Sequence, residues 1–217
     1  MNFVILGPQG SGKGTQAALL VERFQLKHLD IGQLLREVAK EDTPLGKEVQ
    51  RVINDRKELV SNSIIEKVLR AALEKIPRQT GVVIDGAPRR VDQIPIIEKI
   101  LADMQRTLDA VISITVPQSV SIDRISHRFR CDRCRKRYIR GSDLSEGEKQ
   151  CSACGGKIMQ REDDTPSGVK KRLAIFAKET MPVIEAYRIR GKIITVDGNM
   201  EVEKTFADIL AGISQKG

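Results

Sequence analysis

Gly7-Pro8-Gln9-Gly10-Ser11-Gly12-Lys13-Gly14-Thr15 stands between the apolar run Asn2–Leu6 and a stretch, Lys13–Phe24, in which Ala17, Leu20, Val21 and Phe24 recur at helical spacing. A short apolar run that ends at a glycine reads as a buried strand, and the periodic stretch as a helix. The segment between them contains G-x-x-x-x-G-K, with Gly14 and then Thr15 after the lysine. The usual pattern has serine or threonine directly after it. Strand, glycine-rich turn and helix together make a phosphate cradle. Glycines let backbone N–H groups turn inward, and the helix N-terminus adds partial positive charge at the same point. Gly10, Ser11, Gly12 and Gly14 would line it, Lys13 would reach the β and γ phosphates, and Thr15 would assist near magnesium. A glycine-rich turn without a ligand is the plain alternative, and the flanking strand and helix weigh against it.

Outward from this loop, strands are expected at 81–85, 110–116 and 192–196. Helices are expected at 34–39, 45–54, 63–75, 93–104, 119–129, 169–187 and 202–213. Pro95 must sit in a first turn, and Pro182, inside 169–187, predicts a kink or break. Strands alternating with helices imply an α/β fold with a parallel sheet covered on both faces. Two regions look inserted into that core, a helical one at 31–60 and a cysteine-bearing one at 128–163. Asp85 ends the strand Val82-Val83-Ile84, where a carboxylate lies near the phosphate loop and can hold magnesium-bound water.

The net charge of +8 suits a polyanionic ligand, nucleotide or nucleic acid. The cations crowd at Arg128, Arg130, Arg133, Arg135, Lys136, Arg137 and Arg140. No apolar run reaches the ~20 residues of a membrane helix. The N-terminus shows no basic region or cleavage site of a signal peptide, so the cytoplasm is the expected location. The 4 cysteines lie at Cys131-x2-Cys134-x16-Cys151-x2-Cys154. That is zinc-site spacing, and four thiolates close a tetrahedral ion with no open position, so the metal is structural rather than catalytic. Free buried thiols or two disulfides are the other readings. An inserted stretch of roughly 35 residues cannot bury much core, so metal replaces core there.

At this point the residues resemble one family along the whole chain: the adenylate kinases, which are P-loop nucleoside monophosphate kinases. GPQGSGKGT is similar to the family's GxPGxGKGT. Asp85-Gly86-Ala87-Pro88-Arg89 resembles DGFPR, with Gln93 four residues on. Asp123-Arg124 to Arg128 resembles DRxxxR, which opens a mobile lid. Arg161-Glu162-Asp163-Asp164 with Lys171-Arg172-Leu173 resembles RxDD…xRL, which closes it.

The resemblance implies a P-loop NTPase fold with a five-stranded parallel sheet. It assigns 1–30, 61–127 and 164–217 to the core, 31–60 to a nucleoside-monophosphate-binding insertion, and 128–163 to a zinc-bearing lid. The implied reaction moves a phosphoryl group reversibly from Mg-ATP to AMP, giving two ADP. Arg89, Arg124, Arg128, Arg161 and Arg172 would converge on the phosphates, since positioning and charge dominate this chemistry. Arg36 would hold the acceptor phosphate. Ile31, Glu58, Leu59, Val60, Gly86, Ala87, Pro88 and Gln93 would complete the acceptor site. Arg137 and Tyr138 would lie near the ATP base, with Met200 among the ATP contacts. A monomer that binds neither nucleic acid nor membrane is also implied.

The acceptor segment departs from the family. S-T-G-D-x-L-R is replaced by Asp30-Ile31-Gly32-Gln33-Leu34-Leu35-Arg36, Ala87 stands for a phenylalanine, and Ser167 for a common glutamate. The phosphate-handling residues survive while the base-facing ones drift, which predicts a weaker or broader acceptor preference. Two other readings remain at this level. One is a zinc-ribbon nucleic-acid-binding ATPase; aromatic content of 3% leaves it few stacking platforms. The other is a nucleotide-binding module without activity.

Overall fold

The computed structural model describes residues 1–56, 59–134, 136–141, 143–145, 147–160 and 164–216, without the side chains of 54–56, 137 and 166. Strands β1 (Asn2–Leu6), β2 (Lys27–Asp30), β3 (Val82–Asp85), β4 (Ala110–Thr115) and β8 (Ile193–Asp197) form one sheet in the order β2-β3-β1-β4-β8. Every pairing in it is parallel. All five residues of β1 are buried, because alternate side chains serve opposite faces and both faces are covered. Phe3 and Ile5 pack with Leu20, Ile112 and Ile209 on one side. Val4 and Leu6 pack with Leu69, Ile97 and Tyr187 on the other.

Helices α1 (Lys13–Phe24) and α9 (Val202–Ser214) cover the first face. Helices α4 (Asn62–Leu73), α5 (Ile94–Asp103) and α8 (Met181–Ile189) cover the second, with α2 (Ile31–Val38) and α3 (Pro44–Gln50) beyond them. Helix α2 begins at Ile31, ahead of the expected 34, because Asp30 caps it and accepts a hydrogen bond from the Gln33 amide. Helix α7 (Pro166–Ile175) is separated from α8 by a wider turn at Phe176–Thr180, and Pro182 lies in the first turn of α8. The kink or break expected from that proline is a local widening of a chain that stays helical from 166 to 189.

Two expectations need correction. The helix read at 119–129 is α6 (Gln118–Ser126) and stops earlier. Ile122, Ile125 and Phe129 have helical spacing, but Phe129 belongs to a strand and pairs with Tyr138. Strand β2 escaped the pattern because it is a sheet edge with Leu29 as its only buried residue. A second sheet then occupies the cysteine-rich stretch. There β5 (Arg128–Cys131) pairs antiparallel with β6 (Arg137–Ile139) and β7 (Ile158–Met159).

Candidate functional site

The glycine-rich loop joins β1 to α1 at the carboxyl edge of the parallel sheet, where ligands of such sheets collect. Gly10 has φ +76°, and a Cβ there would stand 2.7 Å from the Ser121 carbonyl oxygen, so this turn admits only glycine. Gly12 caps α1 with no side chain bonded to the first turn, and no acidic residue lies in that turn. No side chain therefore competes with an anion at the start of this helix.

The loop is braced from three sides. The Ser121 hydroxyl of α6 donates to the Gln9 carbonyl. Arg124, also on α6, donates to the carbonyls of Gly198 at 2.8 Å and Gly10 at 3.3 Å. Gln16 donates to Val202 at 2.9 Å. Lys13 donates to the carbonyls of Gly7 at 2.7 Å and Pro8 at 2.8 Å.

Lys13 is partly exposed yet closely surrounded by protein groups. That crowding lowers its pKa to about 8; Asp85 opposes the shift, and Arg89 and Arg128 add to it. Arg89 opens onto the cleft and is pulled down by the same desolvation, against Asp85 and Asp30, with Arg172 adding. The structure thus gathers Lys13, Asp85, Arg89, Arg128 and Arg172 within electrostatic reach of one another. Asp85 also stands 3.4 Å from His28.

Asp164 organises this group. Its side chain has 0% exposure. It accepts from Arg128 Nε at 3.1 Å and Nη2 at 2.8 Å, and from Arg172 Nη2 at 2.8 Å. One buried carboxylate thereby fixes two guanidinium groups from β5 and α7. Sequence reading placed Asp164 in the RxDD pattern but gave it no task; its signal was an acid between two arginines of two motifs.

On the other side of the cleft Ile31 is 2% exposed and belongs to the main apolar core, as do Val60 and Ala87. Leu59 is partly exposed. Gln33 accepts from Arg36 at 3.3 Å and donates to Glu37 at 2.7 Å, so it serves the surface of α2. Gln93, 1% exposed, accepts from the amides of Arg89 at 2.8 Å and Arg90 at 3.4 Å. It holds the turn after Gly86-Ala87-Pro88 that presents Arg89. The Ala87–Pro88 peptide is cis. Thr15, in the first turn of α1, and Met200, just before α9, are both exposed. Glu58 and Arg161 lie outside the described residues, as does the side chain of Arg137.

Tyr138, expected near the ATP base, turns its side chain into the cysteine-rich region. It is 3% exposed, and its hydroxyl meets Cys151 Sγ at 3.0 Å. Strand alternation in β6 turns it inward, into a small core with Cys131, Leu144 and Ile158. The sulfurs of Cys131, Cys134, Cys151 and Cys154 all lie within 4.8 Å of one another. Cys131 and Cys154 are 3.4 Å apart, Cys134 and Cys151 3.5 Å. A tetrahedral Zn²⁺ with Zn–S near 2.3 Å asks for sulfurs roughly 3.8 Å apart, so the set fits. The Cys134 amide donates to Cys131 Sγ at 3.4 Å. A Cβ on Gly156 would fall 2.7 Å from Cys131 Sγ, so the chain closes tightly around the site. The Tyr138 hydroxyl draws the Cys151 thiol down to about 6, while against the Lys136 backbone the Cys154 and Cys151 sulfurs push the Cys134 thiol up to about 12; a metal displaces the protons of both.

The family profile described as adenylate kinase matches residues 5–192. An adenylate kinase of Staphylococcus epidermidis is 32% identical over 210 residues, 97% of each chain. One of Methanosarcina acetivorans is 35% identical over 211 residues, again 97% of each. One of Petrotoga mobilis is 37% identical over 203 residues, 94% of this chain and 93% of its own.

Proposed function

The chain belongs to the adenylate kinase family of phosphotransferases, and we propose that it transfers the terminal phosphoryl group of Mg-ATP to AMP, giving two ADP. The observation that carries this reading is the gathering of Lys13, Arg89, Arg128 and Arg172 around the loop, two of them fixed by buried Asp164. Phosphoryl transfer asks the protein for little covalent work. It needs donor and acceptor held in line and the charge on the equatorial oxygens stabilised.

Each residue then has a task. The loop amides and Lys13 hold the β and γ phosphates. Arg124 keeps the loop in shape through its carbonyls and stands beside the donor phosphates. Arg128, Arg161 and Arg172 meet the transferring group. Arg36 and Arg89 hold the acceptor phosphate, and Val60 and Gln93 face its base. Asp85 would hold magnesium-bound water, and the ion supplies charge neutralisation between the phosphates.

The segment 128–163 would act as a lid over ATP, keeping water from the phosphoryl group. The helical segment 31–60 would bind the acceptor, and 1–30, 61–127 and 164–217 would form the core. Cys131, Cys134, Cys151 and Cys154 would hold a structural zinc that replaces the apolar core the lid lacks. A cytoplasmic monomer working on small nucleotides, without nucleic acid or membrane, completes the reading. Among the described residues no helix is long and apolar enough to cross a membrane.

A coupled assay for ADP from ATP and AMP tests the reaction. Phosphate release without an acceptor, stimulated by nucleic acid, would favour a zinc-ribbon ATPase instead.

A further inference from the structure

Arg90, Asn62 and Asp92 form a closed hydrogen-bonded ring beside the acceptor side of the cleft. Arg90 Nη2 donates to Asn62 Oδ1 at 2.6 Å, and Arg90 Nε donates to Asp92 Oδ1 at 3.2 Å. Asn62 Nδ2 closes the ring on Asp92 Oδ2 at 2.9 Å. Each of the three touches the other two. The Asp92 carboxyl is held below its usual range by the Asn62 amide first and by Arg90 after it.

The ring joins two chain segments 28 to 30 residues apart in sequence. Asn62 opens α4, and Leu59 and Val60 run directly into it through the cap Ser61. Arg90 and Asp92 flank the turn in which Gln93 accepts from the amides of Arg89 and Arg90. One segment therefore offers Val60 to the acceptor base. The other offers Arg89 to its phosphate and Gln93 to its base. A cleft of about 580 Å³ lies against the ring, lined in part by Glu48, Val52, Leu59, Asn62 and Arg90. The Arg90 side chain is 28% exposed there, so shortening it opens no hole in the core.

We propose that Arg90, Asn62 and Asp92 are positioning residues that fix the spacing between the acceptor's base contacts and its phosphate contacts. The inference rests on the functional reading above, which assigns Val60, Arg89 and Gln93 to the acceptor. None of the three ring residues touches the donor loop, so the effect is confined to one substrate. A monophosphate held at two points gains orientation only while those points keep their separation.

The test compares wild type with Arg90→Ala, Asn62→Ala, the double variant and Arg90→Lys. Steady-state kinetics for both substrates are measured beside calorimetric AMP binding without ATP. Each single alanine variant is expected to raise the KM and Kd for AMP about ten-fold, with kcat within about two-fold and the KM for ATP unchanged. The double variant should be no worse than either single one, since all three groups share one ring. Arg90→Lys should recover part of the loss, because its ammonium can still meet Asp92. Unchanged AMP affinity, equal rises in both KM values, or strictly additive effects would each overturn the proposal. A wild type that binds no AMP would instead bring down the functional reading, and the clamp with it.

Discussion

The two ends of the cleft are built from different parts of the chain. The donor end is backbone: loop amides at the start of α1, with carbonyls of Gly7, Pro8, Gln9, Gly10 and Gly198 held by Lys13, Ser121 and Arg124. On the proposed reading the acceptor end is side chains: Ile31 and Arg36 on α2, with Arg89 and Gln93 on the turn after β3. A backbone cradle works only where glycine permits it, so its sequence cannot drift. A pocket of side chains can change residue by residue while the fold stands. The donor end is accordingly the fixed half of the site and the acceptor end the adjustable half.

The sharpest test of that contrast is Lys13→Met. We expect kcat to fall roughly 1000-fold, the scale for a lost donor at developing charge, with the melting temperature barely moved. A loss confined to KM would mean that the loop merely binds. Next comes Asp164→Asn, which removes the carboxylate that Arg128 and Arg172 share. It should lower kcat/KM for both substrates by about 100-fold. An effect on one substrate alone would show that the two arginines serve one end.

Removing the metal strikes the donor end through its cover. A chelator should abolish the structure of residues 128–159 and raise the KM for ATP by about ten-fold, while the main sheet melts as before. Cysteine-to-serine variants should behave alike, and identical melting with and without chelator would refute the metal's role. On the acceptor end, a panel of AMP, GMP, CMP and UMP should show a spread of only several-fold, since the hydroxyl normally there is an isoleucine methyl. Ile31→Thr should then narrow the panel toward AMP by about five-fold, the worth of one hydrogen bond. Exclusive AMP use by the wild type would sink the broadening.

The smallest effect is in pH. The free protein holds Lys13 near 8, chiefly by desolvation. A bound triphosphate favours the charged form and raises that value. Below pH 8 the lysine is protonated in both states and contributes no pH dependence. Above it, binding must take up a proton, so ATP affinity should weaken by a few-fold per pH unit. Calorimetry in buffers of different ionisation enthalpy would detect the proton, and its absence at pH 9 would disprove the shift.

The same contrast governs what could be read from the sequence. Gly7 to Thr15 was legible because glycine spacing states a backbone shape. The cysteine site was legible because two tight pairs leave few other geometries. Strand β2 was not, since an edge strand with one inward leucine carries almost no period-two signal. The ring of Arg90, Asn62 and Asp92 was not, because residues 28 to 30 apart meet only once the sheet has formed. The inward turn of Tyr138 was not legible for a similar reason. A resemblance says which strand a residue occupies, but which face it turns to depends on the pairing of β5 with β6.

The chain has 2 tyrosines and no tryptophan. Tyr187 is wholly enclosed by the main core, and Tyr138 lies against the Cys151 sulfur. Near-ultraviolet absorbance and emission therefore come from two chromophores, one per sheet, each in a different chemical setting. An unlabelled sample followed optically through a melt should report the two regions as separate signals, with the sulfur-side tyrosine responding first when metal is withdrawn.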